Sequence, residues 1–437
     1  MKELNFEQLN AYRSVYDADQ NAHTLNAAMA KTDLKELAFV PTNAAKLNGA
    51  FEVEVKTRGI TAQQKSGRCW MFAAMNILRE KAADKFNLKD FELSQNYLTF
   101  YDKLEKANNF LEMVIENADH PLKDDMMMDY LLNWGIGDGG YWNQAVDLIE
   151  KYGVCPKDAN PETYQSEHTE TFMTLLNILL KKDASELRQL VKDGKDPEPR
   201  KNEMLAEVYK AECIAFGQPV KTFDFAYRDE KNEYHVIRNI TPKEFYDTYI
   251  GISLSDYAAI DCTPSDFVHL HQTYTFHSTC NMSGKDMHIL ELSQEDLESL
   301  SIKQLRDNEP VWFACDADAY GARKEGIWDP ASVDYEGLLG NVSFAMSRED
   351  RLAYKASSAN HAMLLTGVNF DENGKPNRWK IENSWGKDVG KSGYFTASEA
   401  YFKQYVYEVV ILKKYLNAEQ RAVLAKEPVK LQPWEAE

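Results

Sequence analysis

The sequence has no paired cysteines. Its six cysteines stand apart at 69, 155, 213, 262, 280 and 315, with no CxxC among them. Neither a structural zinc site nor a dense disulfide framework is expected, and the thiols read as reduced. Long apolar runs are missing too. No stretch approaches the roughly 18 uncharged apolar residues of a membrane span, and Met1 to Glu7 holds no apolar signal core. No membrane partner is expected, and the location reads as cytoplasmic. Positive charge is in deficit: 50 Lys plus Arg face 69 Asp plus Glu, a net charge of −19. That field repels polyanions, so nucleic acid is not expected as a general partner. Internal repeats and low-complexity tracts are also lacking. What remains is a chain of 437 residues, 44% hydrophobic and 12% aromatic. That is enough for a large buried core and too apolar for a disordered chain.

Helix-forming and polar residues dominate the first positions, where Leu9, Tyr12 and Tyr16 fall at helical spacing, and the extended run Phe51 to Val55 follows. A turn from Ala62 to Arg68 opens onto Trp70 to Leu78, whose Met71, Met75 and Leu78 predict one apolar helix face. From there to residue 250 the pattern is mostly helical, including Thr171 to Leu180. The mixed-charge stretch 181–200 reads as a solvated face and loop, closing at Asp196-Pro197-Glu198-Pro199. Strand-like runs come after residue 300, at 310–314, 361–370 and 379–382. Helices first and strands last predict an α+β chain rather than alternating βαβ units.

Candidate chemistry begins at Cys69, where a glycine-containing turn meets the first turn of the apolar helix. Free N–H groups and the helix dipole at that place favour a thiolate, the nucleophilic form of cysteine. Gln63, upstream of it, can aim a side-chain N–H at the oxygen of a tetrahedral intermediate, with the Cys69 backbone N–H as second donor. A thiolate needs a base, and His361 opens the apolar run that ends near Phe370. A turn-rich segment from Asp371 to Pro376 leads to a second strand ending at Asn383-Ser384-Trp385-Gly386. A hairpin centred on residue 372 makes His361 and Asn383 near neighbours. The asparagine carbonyl can then fix the ring's orientation and tautomer, with Trp385 covering the contact.

Gln63, the run Ser66 to Trp70, His361-Ala362 and Glu382 to Gly386 resemble the papain-type cysteine peptidases, and more closely the bleomycin hydrolase and aminopeptidase C branch. Further matching segments are Asp138 to Trp142, Glu150 to Val154, Tyr227-Arg228-Asp229, Ile240 to Pro242, Glu244 to Tyr246 and Val406 to Val410. His361 follows Cys69 by about 290 residues, against roughly 130–150 in papain-like enzymes, so about 150 residues are inserted. The resemblance implies an α+β papain-like fold: a helical half, an antiparallel β-barrel-like half and large helical insertions. The expected organisation is one peptidase unit over 1–437. It comprises an N-terminal arm at 1–55, a helical catalytic half at 56–160 and a mainly helical insertion at 161–300. A β-rich catalytic half at 301–415 and a C-terminal arm at 416–437 directed toward the cleft follow.

By the same resemblance Cys69 is the nucleophile, His361 the base and then acid, Asn383 the orienter and Gln63 the oxyanion donor, with Gln64 as the alternative donor. Gly139 and Gly140 match a pair that lies against an extended substrate backbone, where side chains would block approach. Family aminopeptidases carry a longer tail after the Pro-Trp that here is Pro433-Trp434, a tail whose terminal carboxylate holds the substrate's amino group. With only Glu435-Ala436-Glu437 following, the cleft is expected to be more open and the enzyme to be an endopeptidase or oligopeptidase. The alternative is an aminopeptidase in which Glu437 still captures the amino group, and the non-enzymatic alternative is an oligomeric binding scaffold with a vestigial triad. A homo-hexamer acting on oligopeptides is implied. No cofactor or metal is expected: His269, His271 and His277 lack the cysteine or carboxylate that would complete a coordination set.

Overall fold

The computed structural model describes residues 1–276 and 281–435. Its organising element is the helix Cys69–Phe86, whose first half is buried on every side: Trp70, Met71, Phe72, Met75, Ile77 and Leu78 are all buried. A helix of that kind belongs inside a protein rather than on its surface. It packs against the long helix Gln95–Glu116, the helix Trp142–Tyr152 and the sheet, whose Trp312, Ala314, Ala362 and Leu364 share its core. It stops at Asn87, which adopts φ +55 and returns its N–H to the carbonyls of Ala83 and Asp84.

The strands among the described residues are β1 (Val53–Glu54), β2 (Phe223–Arg228), β3 (Tyr234–Ile240), β4 (Tyr257–Asp261), β5 (Gln272–Phe276), β6 (Ile289–Glu291) and β7 (Val311–Cys315). They continue with β8 (Gly321–Ala322), β9 (Ile327–Trp328), β10 (His361–Phe370), β11 (Pro376–Glu382), β12 (Tyr394–Ser398), β13 (Val406–Leu412) and β14 (Val429–Leu431). Twelve form one sheet in the order β14-β5-β6-β4-β13-β7-β10-β11-β12-β9-β8, with β1 beside β10. The parallel pairs β4/β6, β12/β9 and β14/β5 make it mixed rather than purely antiparallel. A second core lies where the helix Gln294–Arg306 sets Leu297, Leu300 and Leu305 against Phe313, Leu365 and Ile411. Burying each such side chain contributes about 1.5–3 kcal/mol. The molecule is α+β as expected, a helical region joined to a mixed sheet.

The third core is helical. The C-terminal half of Gln95–Glu116, through Phe110, Leu111 and Val114, packs with the helices Glu170–Lys192 and Glu198–Phe216. Helix Glu170–Lys192 runs on through charges that the sequence suggested would form a face and loop. Its buried Met173, Leu176, Leu180, Ala184 and Leu187 recur every three or four residues, so one apolar stripe carries it past Lys181 and Lys182. Strands also begin well before residue 300. The hairpin β2/β3 alternates buried Phe223 and Phe225 with exposed neighbours, a period of two inside a region expected to be mostly helical. The first two helices, Phe6–Ala18 and Gln20–Met29, bury none of their residues. No helix among the described residues is long and apolar enough to cross a membrane.

Candidate active site

The turn before the Cys69 helix is stitched to the segment after β11. Gln63 donates its backbone N–H to the Ser384 carbonyl at 2.8 Å and accepts the Ser384 hydroxyl on Oε1 at 2.7 Å. Its Nε2 reaches the Ser66 carbonyl at 2.5 Å, and the Ser66 hydroxyl donates to the Gln63 carbonyl at 2.6 Å. One of the two Nε2 hydrogens suffices for that bond, so the other is available to an oxyanion. Gln64 is exposed, at φ +52. Buried Arg68 fixes the end of the turn by donating to Ser66 Oγ at 2.9 Å, Thr99 Oγ1 at 3.0 Å and Glu162 at 3.1 Å.

Cys69 is the first residue of its helix, and Arg68 before it supplies no side-chain cap. The amides of Ala362, Trp70 and Cys69 itself favour its thiolate. Burial outweighs them and pushes the thiol up from its ordinary value, with the Asp138 charge adding to the rise. Ala362 directly follows His361, so the same bonds bring the start of β10 to the sulfur.

His361 is buried, and its Nε2 lies 2.8 Å from Asn383 Oδ1. That leaves Nδ1 as the ring nitrogen open to the thiol. Asn383 Oδ1 also accepts the Ser384 N–H at 2.7 Å, which fixes the amide's direction. The Trp385 ring stacks on the imidazole at 4.8 Å between centroids and itself lies beneath the Arg323 guanidinium at 4.5 Å. Burial lowers the imidazole pKa to about 4, the Asn383 bond opposing and the Arg323 charge reinforcing that fall. The shifts of both groups thus favour their neutral forms. The hairpin register differs from the simple expectation. Leu364 faces Glu382 and Val368 faces Trp379, with irregularities after Leu365 and Asn369. His361 and Asn383 therefore meet as diagonal neighbours beyond the paired residues, not as a facing pair.

Gly139 and Gly140 lie on the helical side. A Cβ on Gly140 would come within 2.6 Å of the Trp70 indole, whereas one on Gly139 would meet nothing within 4 Å. The ledge is thus backed by an aromatic ring and open outward. Residues that motif matching passed over support it: from the helix Gln95–Glu116, Lys106 reaches the Gly139 carbonyl and Lys103 that of Gly137 just before it. Their spacing on a helix reads in sequence as an ordinary solvated face, and only burial distinguishes them. Arg323 over Trp385 carried no motif at all.

Glu437 lies outside the described residues, and Glu435 accepts the Gln432 N–H at 2.8 Å. His277 also lies outside them, while His269 and His271 are exposed and make separate backbone contacts. Among the described residues, the His, Cys, Asp and Glu side chains that converge within 4.8 Å are Asp229, Glu233 and His235, at the β2/β3 turn. There Asp229 already accepts the N–H groups of Lys231 and Glu233.

The model of the Peptidase C1-like family matches residues 3–436. Aminopeptidase C of Listeria innocua serovar 6a is 41% identical over 99% of this chain and 98% of its own length. Aminopeptidase G of Lactobacillus delbrueckii subsp. lactis is 37% identical over 99% of both. The crystal structure of PepW from Lactobacillus rhamnosis HN001 superposes with a TM-score of 0.96 at 40% identity, covering 99% of this chain and 98% of that one.

Proposed function

The chain belongs to the Peptidase C1-like family and is a cysteine peptidase; from that premise we propose that it is an aminopeptidase, removing N-terminal residues from oligopeptides. End-to-end similarity to proteins named aminopeptidases C, G and W supports this over the endopeptidase expected from the tail. Family membership also speaks against a scaffold with a vestigial triad.

The observation that carries the mechanism is the 2.8 Å contact of His361 with Asn383 beneath Trp385, one residue from the amide that faces the Cys69 sulfur. His361 takes the thiol proton as sulfur attacks the scissile carbonyl. The Gln63 Nε2 and Cys69 N–H groups receive the oxyanion. His361 then protonates the leaving amine, and water hydrolyses the thioester by the same groups. Asn383 keeps Nε2 engaged so that Nδ1 does the transfer. Buried, bonded Gln63 supports its choice over exposed Gln64 as donor. The substrate backbone runs along Gly139 and Gly140.

A homo-hexamer in the cytoplasm completes the proposal. The exposed Leu4, Phe6, Leu9, Tyr12, Val15 and Tyr16 of the first helical arm support self-association. Mass spectrometry of products from one peptide, offered with a free and with an acetylated N-terminus, tests the specificity. Stepwise N-terminal loss from the free form alone is expected. Internal cleavage of both forms would instead establish an endopeptidase.

A further inference from the structure

The Gly139–Gly140 ledge rests on a buried set of charges. The Asp138 carboxylate accepts the N–H of Gly67, two residues before Cys69, at 3.1 Å, and the hydroxyl of Thr169. Its other oxygen lies 3.0 Å from Lys103 Nζ. Its main-chain carbonyl accepts the indole N–H of Trp70, the residue after Cys69, at 2.8 Å. Asp138 thus grips the chain on both sides of the nucleophile. The neighbouring carbonyls are held as well. Lys103 and Lys106 each reach the Gly137 carbonyl at 3.1 Å, and Lys106 reaches that of Gly139 at 2.6 Å. Asp102 ties the two amines together, at 2.8 Å and 3.1 Å.

Burying such groups is a poor way to gain stability, because apolar residues of like volume do as well or better. What the arrangement supplies is fixed geometry: the carbonyls of residues 137, 138 and 139 each have a donor from the body of the protein. We propose that Asp138, locked by Lys103 and Lys106, is a positioning residue that ties the glycine ledge to the turn before Cys69, setting the substrate backbone in register with the nucleophile. This rests on the peptidase function above.

The electrostatics agree. Lys103 holds the Asp138 carboxyl well below the usual carboxylate range against the cost of burial, whereas burial lowers Lys106 to about 8 despite Asp102. Lys106 is faced by Asp102 and Lys103 on its own helix and by Asp138 from the ledge. Glu212 comes toward Lys103 from the helix Glu198–Phe216, and its carboxyl is raised well above its ordinary value by burial. Above about pH 8 the Gly139 carbonyl therefore loses a charged donor and the ledge loosens.

Asp138→Ala, Asp138→Asn and Lys106→Met are compared with the native enzyme in peptide kinetics and in alkylation of Cys69 by iodoacetamide, a reagent too small to use the ledge. In Asp138→Ala, kcat/KM is expected to fall about 10²-fold, mainly through KM, as for a misplaced substrate. Alkylation is expected to be as fast as native or faster, since a charge opposing the thiolate is gone. Asp138→Asn, which keeps an acceptor for Gly67, recovers part of the loss. In the native enzyme KM rises above about pH 8, and Lys106→Met abolishes that rise. Unchanged KM in folded Asp138→Ala, or equal losses in both assays, would overturn the proposal. If Asp138→Ala does not fold, Lys106→Met carries the same test. If the native protein cleaves no peptide, the peptidase function fails on its own. Amide exchange over residues 137–141 then decides: faster exchange in the variants supports the clamp, and unchanged exchange refutes it.

Discussion

The two walls of the cleft are built from different materials. Around Cys69 the backbone is held by ions, the buried Arg68, Lys103, Lys106 and Asp102 and the partly buried Asp138, each paired with an opposite charge or a carbonyl. Around His361 the ring itself is held by neutral groups, namely the Asn383 amide and the Trp385 ring, with Arg323 and Asp318 paired largely in solvent, while the buried charges of this wall stand one residue back, Glu382 on Arg79 at 2.8 Å and Asp316 on the Asn360 amide at 2.9 Å. The acids differ in the same way. Asp138 stays ionised because Lys103 faces it, whereas Glu408 in the sheet, beside Asp261 and close to Glu291, is raised to about 8 by burial. An ion-paired wall fixes position and is sensitive to charge. A neutral wall keeps the imidazole uncharged and is sensitive to water.

The comparison can be broken at several points, the largest effect first. Cys69→Ala should reduce peptide turnover by at least about 10³-fold, to background, without loss of fold in circular dichroism. Gln63→Ala should lower kcat by about 10²–10³-fold at nearly constant KM, since the donor acts on the oxyanion rather than the bound peptide. Steady-state kinetics separates that result from the KM effect predicted for Asp138. Trp385→Ala sharpens the contrast. The acid limb of kcat/KM, expected near the lowered value of about 4 for His361, should move up toward its ordinary value near 6.5 once water reaches the ring. The smallest effect concerns Glu408. Its folded-state pKa lies above the unfolded value, so its stabilising contribution is complete below about pH 4.5 and is lost as pH rises through about 8. Melting curves should show Glu408→Gln gaining on the native protein between pH 5 and pH 8.

The neutral wall was far more legible in the sequence than the charged one. A cysteine opening an apolar helix, and a histidine and an asparagine at the ends of two strands, carry type and position together. Even so, the diagonal meeting of His361 and Asn383 was hidden, because the irregularities after Leu365 and Asn369 shift a register that spacing alone takes as uniform. The β2/β3 hairpin was hidden because two short alternating runs are weak against a helical background. Lys103 and Lys106 were hidden for a stronger reason. Charges on a helix ordinarily face water, and only the tertiary fold turns these two inward beneath Gly137 and Gly139. Asp138 was visible as part of a motif, but its four partners come from residues 67, 70, 103 and 169, which no local pattern connects.

The central claim is that Cys69 and His361, on unlike walls, act as one proton-sharing pair. The most direct test is the rate of Cys69 alkylation by iodoacetamide as a function of pH, in the native protein and in His361→Ala. The native thiol should stay reactive down to about pH 4–5, following the lowered imidazole, while in His361→Ala reactivity should appear only above the ordinary thiol range near 9. Superimposable profiles would contradict the account, because the thiol would then ionise without regard to the histidine beside it.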